Sequence, residues 1–189
     1  MIADLVKANR SHRRFREEKP LSLETLREFV VSARLVASSQ NLQPLKYILS
    51  STPEKNSLIF PCLRWAGYLT EWPGPAEGER PVAYIVILGD KKITEHFGTD
   101  LGIAAQTMLL AAVEMGIRGC MIASIQREKL RAALGIPEQY QILLVIALGY
   151  PNETVVIEEM KGTDVKYWRD DKSVHHVPKR TLSEIILDL

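Results

Sequence analysis

From Asp100 to Met115 the chain is rich in Ala, Leu and Met, and Gly116 follows where a helix end favours a residue able to take positive φ. Apolar residues occupy nearly every face of this helix. A surface helix shows one apolar stripe, whereas one that is apolar all round is buried on most sides. That requirement constrains the chain more than any other feature, because the remaining elements must cover it. Two apolar runs are suited to the task. Val82 to Leu88 holds Tyr84 and four β-branched aliphatics and ends at Gly89-Asp90, and Gln141 to Gly149 reads as a central strand.

Punctuation residues give the rest. Ile2 to Ala8 reads as a short helix. Ser22 is placed to cap an amphipathic helix over 22–37, in which Leu26, Val30, Ala33 and Ala37 recur at helical spacing. Lys46 to Ser51 is a short strand, and Pro53 to Ala66 a helix broken at Pro61. Residues 67–81 have loop composition, with Gly67, Pro73, Gly74, Pro75, Gly78 and Pro81 beside Tyr68 and Trp72. Arg118 to Ala123 is a strand, Ser124 a cap for a helix over 125–134, and Gly135-Ile136-Pro137 its stop. Beyond Pro151 the pattern weakens until Thr181 to Leu189. The chain has no internal repeat and no low-complexity segment.

The length of 189 residues fits a single domain. Lys and Arg total 24 against 23 Asp and Glu, so the net charge of +1 gives no electrostatic reason to expect nucleic acid or an anionic membrane. Basic clusters therefore mark local sites. Two cysteines, Cys62 and Cys120, do not make a secreted disulfide scaffold. No apolar run approaches the roughly 20 residues of a membrane span, and the start of the chain lacks a signal-peptide pattern, so the cytoplasm is the expected location. His175-His176 lacks partners at metal-ligand spacing and reads as a surface pair, with no metal expected. Cys120 reads as a buried small hydrophobe. No Gly-x-Gly-x-x-Gly follows a strand, and no hydrolase signature is present.

Two segments carry chemistry. Arg10-Ser11-His12-Arg13-Arg14-Phe15 offers fixed cations and a hydroxyl for a phosphate. Ser38-Ser39-Gln40-Asn41-Leu42-Gln43-Pro44 offers short hydrogen-bonding groups for a planar polar ring. Each alone also fits a polar surface turn. Together, in this order and at this separation, they resemble the two N-terminal signatures of the nitroreductase family of FMN-dependent flavoproteins. Asp100-Leu101-Gly102 through Gln106, Glu114-Met115-Gly116-Ile117, Leu134-Gly135-Ile136-Pro137, Ala147-Leu148-Gly149-Tyr150-Pro151 and Pro178-Lys179-Arg180 resemble later blocks of the same family. The resemblance spans roughly residues 9–51 and 98–151 and the tail near 180; residues 52–97 match poorly.

The resemblance implies an α+β fold, with a mainly antiparallel central sheet flanked by helices, as an intertwined homodimer. It implies one domain over 1–189, with 152–189 as an arm wrapping the partner subunit. Arg10, Ser11 and Arg180 would hold the FMN phosphate and ribityl end, and Arg13 the N1/O2 edge of the ring. Ser38, Ser39 and Asn41 would reach the flavin from the other subunit, and backbone near Ile122 and Ala123 would approach N5. Trp65, Tyr68 and Trp72 are expected either to cover the substrate pocket or to pack at the interface. No catalytic side chain is required. The implied activity is transfer of electrons from NADH or NADPH through flavin to a nitroaromatic, a quinone or a similar small-molecule oxidant. Dehalogenation, flavin cleavage and non-catalytic flavin binding remain open. Three departures stand out: Asn9 where relatives carry a further basic residue, Ala37 for the usual proline, and Leu45 for the usual tryptophan.

Overall fold

In the computed structural model, which describes residues 1–188, the two apolar runs form the middle of a four-stranded antiparallel sheet. β1 (Leu45–Ser50), β2 (Ala83–Asp90), β3 (Arg118–Ile122) and β4 (Tyr140–Gly149) lie in the order β1-β2-β4-β3. Every residue of β2 is buried, because both faces of the sheet are covered. Alternation sends Ala83, Ile85 and Ile87 to one face and Tyr84, Val86 and Leu88 to the other. The β2–β4 register shifts at Ile87/Leu88, which pair with Leu144 and Ile142, so Leu143 is an inserted residue. That bulge explains why Ile142 shares a face with Val145 and Ala147 and not with Leu144 and Ile146.

α2 (Leu23–Arg34) and α4 (Gly98–Glu114) cover the first face. The Ser22 hydroxyl accepts the Thr25 N–H at 3.0 Å, and α2 buries Leu26, Phe29 and Ala33. α3 (Pro53–Ile59) gives way to a tight turn over Phe60–Cys62 that contains Pro61. With α5 (Arg127–Leu134) it covers the second face. Two expectations need correction. α5 starts at Arg127 with Gln126 as N-cap, not at Ser124: the Ser124 carbonyl accepts the Arg64 N–H at 2.9 Å and Ile125 bridges Leu63, which holds this stretch extended. α4 is buried on one side only. Ala104, Ala105, Met108, Leu109 and Ala112 face the sheet, while Ile103 is 36% exposed and Leu110 and Ala111 are half-buried.

The tail forms a second small sheet. β5 (Val155–Glu159) and β7 (His175–Lys179) are parallel, and β6 (Trp168–Arg169) pairs antiparallel with β7. This sheet folds back on its own chain: the Asn152 N–H donates to the Arg14 carbonyl at 2.9 Å, and Phe15 bridges Pro151. The end of the tail is exposed. Leu182 and Ile185 of α6 (Leu182–Ile185) are exposed, as are Ile186 and Leu187 just beyond it. α1 (Ile2–Ala8) buries no residue. Among the described residues no helix is long and apolar enough to cross a membrane.

Candidate functional site

The Arg10–Phe15 segment is laid along the edge strand β3. Ser11 forms a parallel bridge with Gly119, and the His12 N–H donates to the Gly119 carbonyl at 3.1 Å. A Cβ at Gly119 would lie 2.6 Å from Leu109 Cδ2 and 2.8 Å from the Ala147 carbonyl oxygen, so glycine permits α4 and β4 to close behind the segment. In front lies a cavity of about 270 Å³, lined by Arg10, Ser11, Arg13, Gln106, Gly119 and Lys179 among others, with no carboxylate in its lining. Among the described residues none of its three cations is ion-paired. Arg10 donates from Nη2 to the Val6 carbonyl at 2.8 Å, and its Nε is buried without a partner. Burial also pulls the Arg10 pKa below its ordinary value. Three convergent cations without counter-charge make a site for an anion with several acceptor oxygens.

Arg13 is held from three directions. The Glu153 carboxylate, 1% exposed, accepts the backbone N–H groups of Arg13 and Arg14 and pairs with Arg169 Nη2 at 2.9 Å. The Arg13 guanidinium lies 4.9 Å over the Tyr167 ring. Its Nη1 sits 3.2 Å from His175 Nε2. Arginine only donates, so that ring nitrogen accepts and His175 is neutral, with its proton on Nδ1, which has no partner. Burial, reinforced by the Arg13 charge, pulls the His175 pKa down to about 4. Arg14 turns away, its Nε donating to Glu79 at 2.7 Å. His12 is also buried, and desolvation lowers its pKa.

A second cavity, about 190 Å³, continues the cleft, sharing Arg13, Met121 and Tyr167 with the first. Trp65, Gly67, Ile122 and Ala123 line it. Of the three rings expected over a pocket, Trp65 alone lines the cleft. It is wedged against Gly74, where a Cβ would stand 2.5 Å from Trp65 Cδ1. Tyr68 packs on Tyr167 at 4.9 Å, and Trp72 lies 4.7 Å beneath Arg169.

The Ser38–Gln43 turn is strained and pinned. Gln40, Asn41 and Gln43 have φ of 50, 55 and 51°, a region costly for residues with a Cβ. The Ser38 hydroxyl donates to Asp100 and accepts the Gln43 N–H at 2.9 Å, and the Ser39 N–H donates to Asp100 Oδ1 at 2.8 Å. Buried Asp100 at the start of α4 thus fixes the turn. Ser38 borders a third cavity, about 300 Å³, that shares no lining residue with the cationic cleft. Within one chain, then, Arg10, Ser11, Arg13, Ile122, Ala123 and Trp65 come together, whereas Ser38, Ser39 and Asn41 stand apart. Arg180 stands apart too: it is exposed and pairs with Glu184 at 3.1 Å, and Lys179 occupies the cleft instead.

Sequence reasoning missed Glu153, Tyr167, His175 and Lys179, all from the tail. His175 is not the surface residue expected of a His-His pair; it is 1% exposed, because alternation along β7 turns it toward Arg13. His176 faces the other way, between Glu158 at 2.8 Å and Asp170 at 3.2 Å. Strand parity was the available signal, since His175, Val177 and Lys179 all line the cleft.

The family model described as the nitroreductase family matches residues 6–67 and 75–150. The chain belongs to that family. A protein of Archaeoglobus fulgidus with the provisional name NADH dehydrogenase/NAD(P)H nitroreductase is 27% identical over 144 residues, covering 72% of this chain and 78% of its own. The FMN-dependent nitroreductase of Clostridium difficile R20291 superposes with a TM-score of 0.64 at 24% identity, over 85% of this chain and 90% of that one. The NADPH:FMN oxidoreductase of Vibrio harveyi, complexed with NAD+, does so with 0.65 at 24%, over 87% and 74%. The architecture is thus the nitroreductase fold. The family match omits residues 68–74 and ends at 150. Tyr68, Trp72 and the tail residues that clamp Arg13 therefore lie outside the matched segments.

Proposed function

We propose that this member of the nitroreductase family is an FMN-dependent oxidoreductase that passes electrons from NADH or NADPH to a small oxidant such as a nitroaromatic or quinone. The cationic cleft beside β3 carries the reading: Arg10, Arg13 and Lys179 face a cavity with no carboxylate in its lining, and the Arg10 Nε is orphaned there. That donor set fits a phosphate monoester. When bound, FMN would supply the reversible uptake of two electrons. Arg10, Ser11 and Lys179 would hold its phosphate. Arg13, fixed by Glu153, His175 and Tyr167, would place a positive charge beside the ring and favour its anionic reduced form. Ile122 and Ala123 would offer backbone to the ring, and Trp65 would wall the pocket.

The remaining ligands come from a second copy of the chain. Ser38 borders a separate cavity with Ser39 and Asn41 on the same turn, α4 leaves Ile103 exposed, and the end of the chain exposes Leu182, Ile185, Ile186 and Leu187. A homodimer with shared sites satisfies all three observations. The arm that crosses to the partner would then be the stretch after Lys179, since β5, β6 and β7 pair with one another and Asn152 bonds Arg14 of the same chain.

The test is the visible absorption spectrum of the purified protein, followed by anaerobic addition of NADH and then NADPH. A yellow protein bleached by either supports the reading and identifies the donor. A protein that is colourless and does not reload with FMN refutes it. Arg10→Ala is expected to weaken FMN retention at least about tenfold, the loss of roughly one charge-assisted contact.

A further inference from the structure

A cavity of about 610 Å³ lies away from the flavin cleft and shares no lining residue with it. Glu17, Ser57, Phe60, Pro61, Arg80 and Tyr84 are among its walls. The Arg80 guanidinium stacks 4.7 Å over the Phe60 ring. Its Nε is buried without a partner, and among the described residues Arg80 forms no ion pair. A buried donor without an acceptor is costly and calls for a ligand or water. Tyr84 is 1% exposed and lines the same cavity. Burial pushes its hydroxyl above the ordinary range, Glu17 adds to the rise and Arg80 opposes it, so both charges act on that hydroxyl. Glu17 is oriented by backbone: its Oε2 accepts the N–H groups of Gly78 at 2.6 Å and Arg80 at 3.2 Å. Its other oxygen accepts no hydrogen bond from the described residues.

One cavity thus holds a cation and an anion that do not pair with each other, a free phenolic donor and walls built of proline and aromatic carbon. A lone anion would meet Glu17, and a lone cation would meet Arg80. A zwitterion whose two charges are one carbon apart answers both. We propose that this cavity binds a free α-amino acid with an apolar side chain, its carboxylate on Arg80 and Tyr84, its ammonium on Glu17, and its side chain against Phe60 and Pro61.

Binding here is independent of the flavin assignment, and so is its test. L-Phenylalanine, 3-phenylpropionate and phenethylamine are titrated calorimetrically into the purified protein as isolated, and into Arg80→Gln and Glu17→Gln. The Glu17→Gln variant keeps an acceptor for the two backbone N–H groups and removes only the charge. L-Phenylalanine is expected to bind, with each single-charge analogue at least tenfold weaker and each variant at least tenfold weaker for the amino acid. Far-UV circular dichroism and the flavin content of each variant, unchanged from the parent, keep a folding defect from passing as lost binding. Equal binding of 3-phenylpropionate overturns the zwitterion in favour of a monocarboxylate. Heat absent for phenylalanine and for L-leucine at millimolar concentration overturns the site altogether.

Discussion

Replacing Glu153 with alanine is expected to loosen the tail from the cationic segment. The Glu153 carboxylate is 1% exposed and serves three donors, the N–H groups of Arg13 and Arg14 and the Arg169 guanidinium. Alanine leaves two backbone donors without an acceptor, each costing about 1–3 kcal/mol. It also strands Arg169, and breaking a buried pair by removing one partner costs about 3–5 kcal/mol. The terms overlap, and Arg169 keeps 15% exposure through which water can screen it. A total of about 3–5 kcal/mol is therefore expected, which for a chain of this length lowers Tm by roughly 10 °C. Glu153→Gln keeps one acceptor and the side-chain volume, and should lose about half as much. Thermal unfolding followed by circular dichroism reads both variants. If Glu153→Ala melts within about 2 °C of the parent, or if Gln is worse than Ala, Glu153 does not clamp the tail to the cationic segment.

His175 links stability to pH. Its folded pKa of about 4 lies below the unfolded value of 6.5, so between the two the unfolded chain binds a proton that the folded chain refuses. Its contribution is complete above the unfolded value and is lost as pH falls toward the folded one. At about 1.4 kcal/mol per pKa unit, discounted for solvent screening, that amounts to about 1–2 kcal/mol. Urea midpoints at neutral and mildly acidic pH should fall more for the parent than for His175→Asn, with His12 and His176 common to both. Equal falls would remove His175 from the linkage. Gly119→Ala should destabilise by about 1–3 kcal/mol, because the new methyl meets Leu109 and the Ala147 carbonyl; a neutral variant would show that α4 yields. Cys62 and Cys120 are buried, and burial raises both thiol pKa values. Neither should react with a disulfide reagent at mildly alkaline pH until denaturant is added, and fast labelling of the folded protein would contradict their placement.

How much of this was legible in the sequence depended on whether its cause was local. The N-cap at Ser22, the buried run of β2 and the positive φ of Gly116 follow from neighbours in the chain, and the structure has all three. The start of α5 does not: Ser124 has the chemistry of a cap, but Arg64 and Leu63, distant in sequence, recruit it and Ile125 into extended structure. The tail shows the same limit. β5 and β7 pair in parallel across an intervening stretch, and no short-range pattern encodes such pairing. Once β7 is known, period-two alternation selects His175, Val177 and Lys179 and passes over Arg180. The turn at Gln40, Asn41 and Gln43 hid for another reason. Positive φ is signalled by glycine and more weakly by asparagine, so Gln40 and Gln43 give no local sign of it, and bonds from Ser38 and Asp100 brace the turn.

The geometry of α4 bears on the proposed second copy. Asp100 and Ala104 line the cavity of the Ser38 turn, and Gln106 and Leu109 line the cationic cleft. At about 1.5 Å and 100° per residue, Asp100 and Gln106 are roughly 9 Å apart along the helix and about 120° apart around it. The two sets of polar groups therefore look out from different sides of one rigid element. The turn is pinned to that element through Asp100, and the cleft is closed behind Gly119 by the same helix, so a loop movement within one chain would have to break the Asp100 bonds or unwind α4 to bring them together. A second copy would reach the cleft without either cost, and exposed Ile103 and half-buried Leu110 of α4 lie between the two sites around the helix. If the proposed flavin takes ligands from both copies, burying them would hold the copies together at that site, and flavin retention and association would be coupled by mass action.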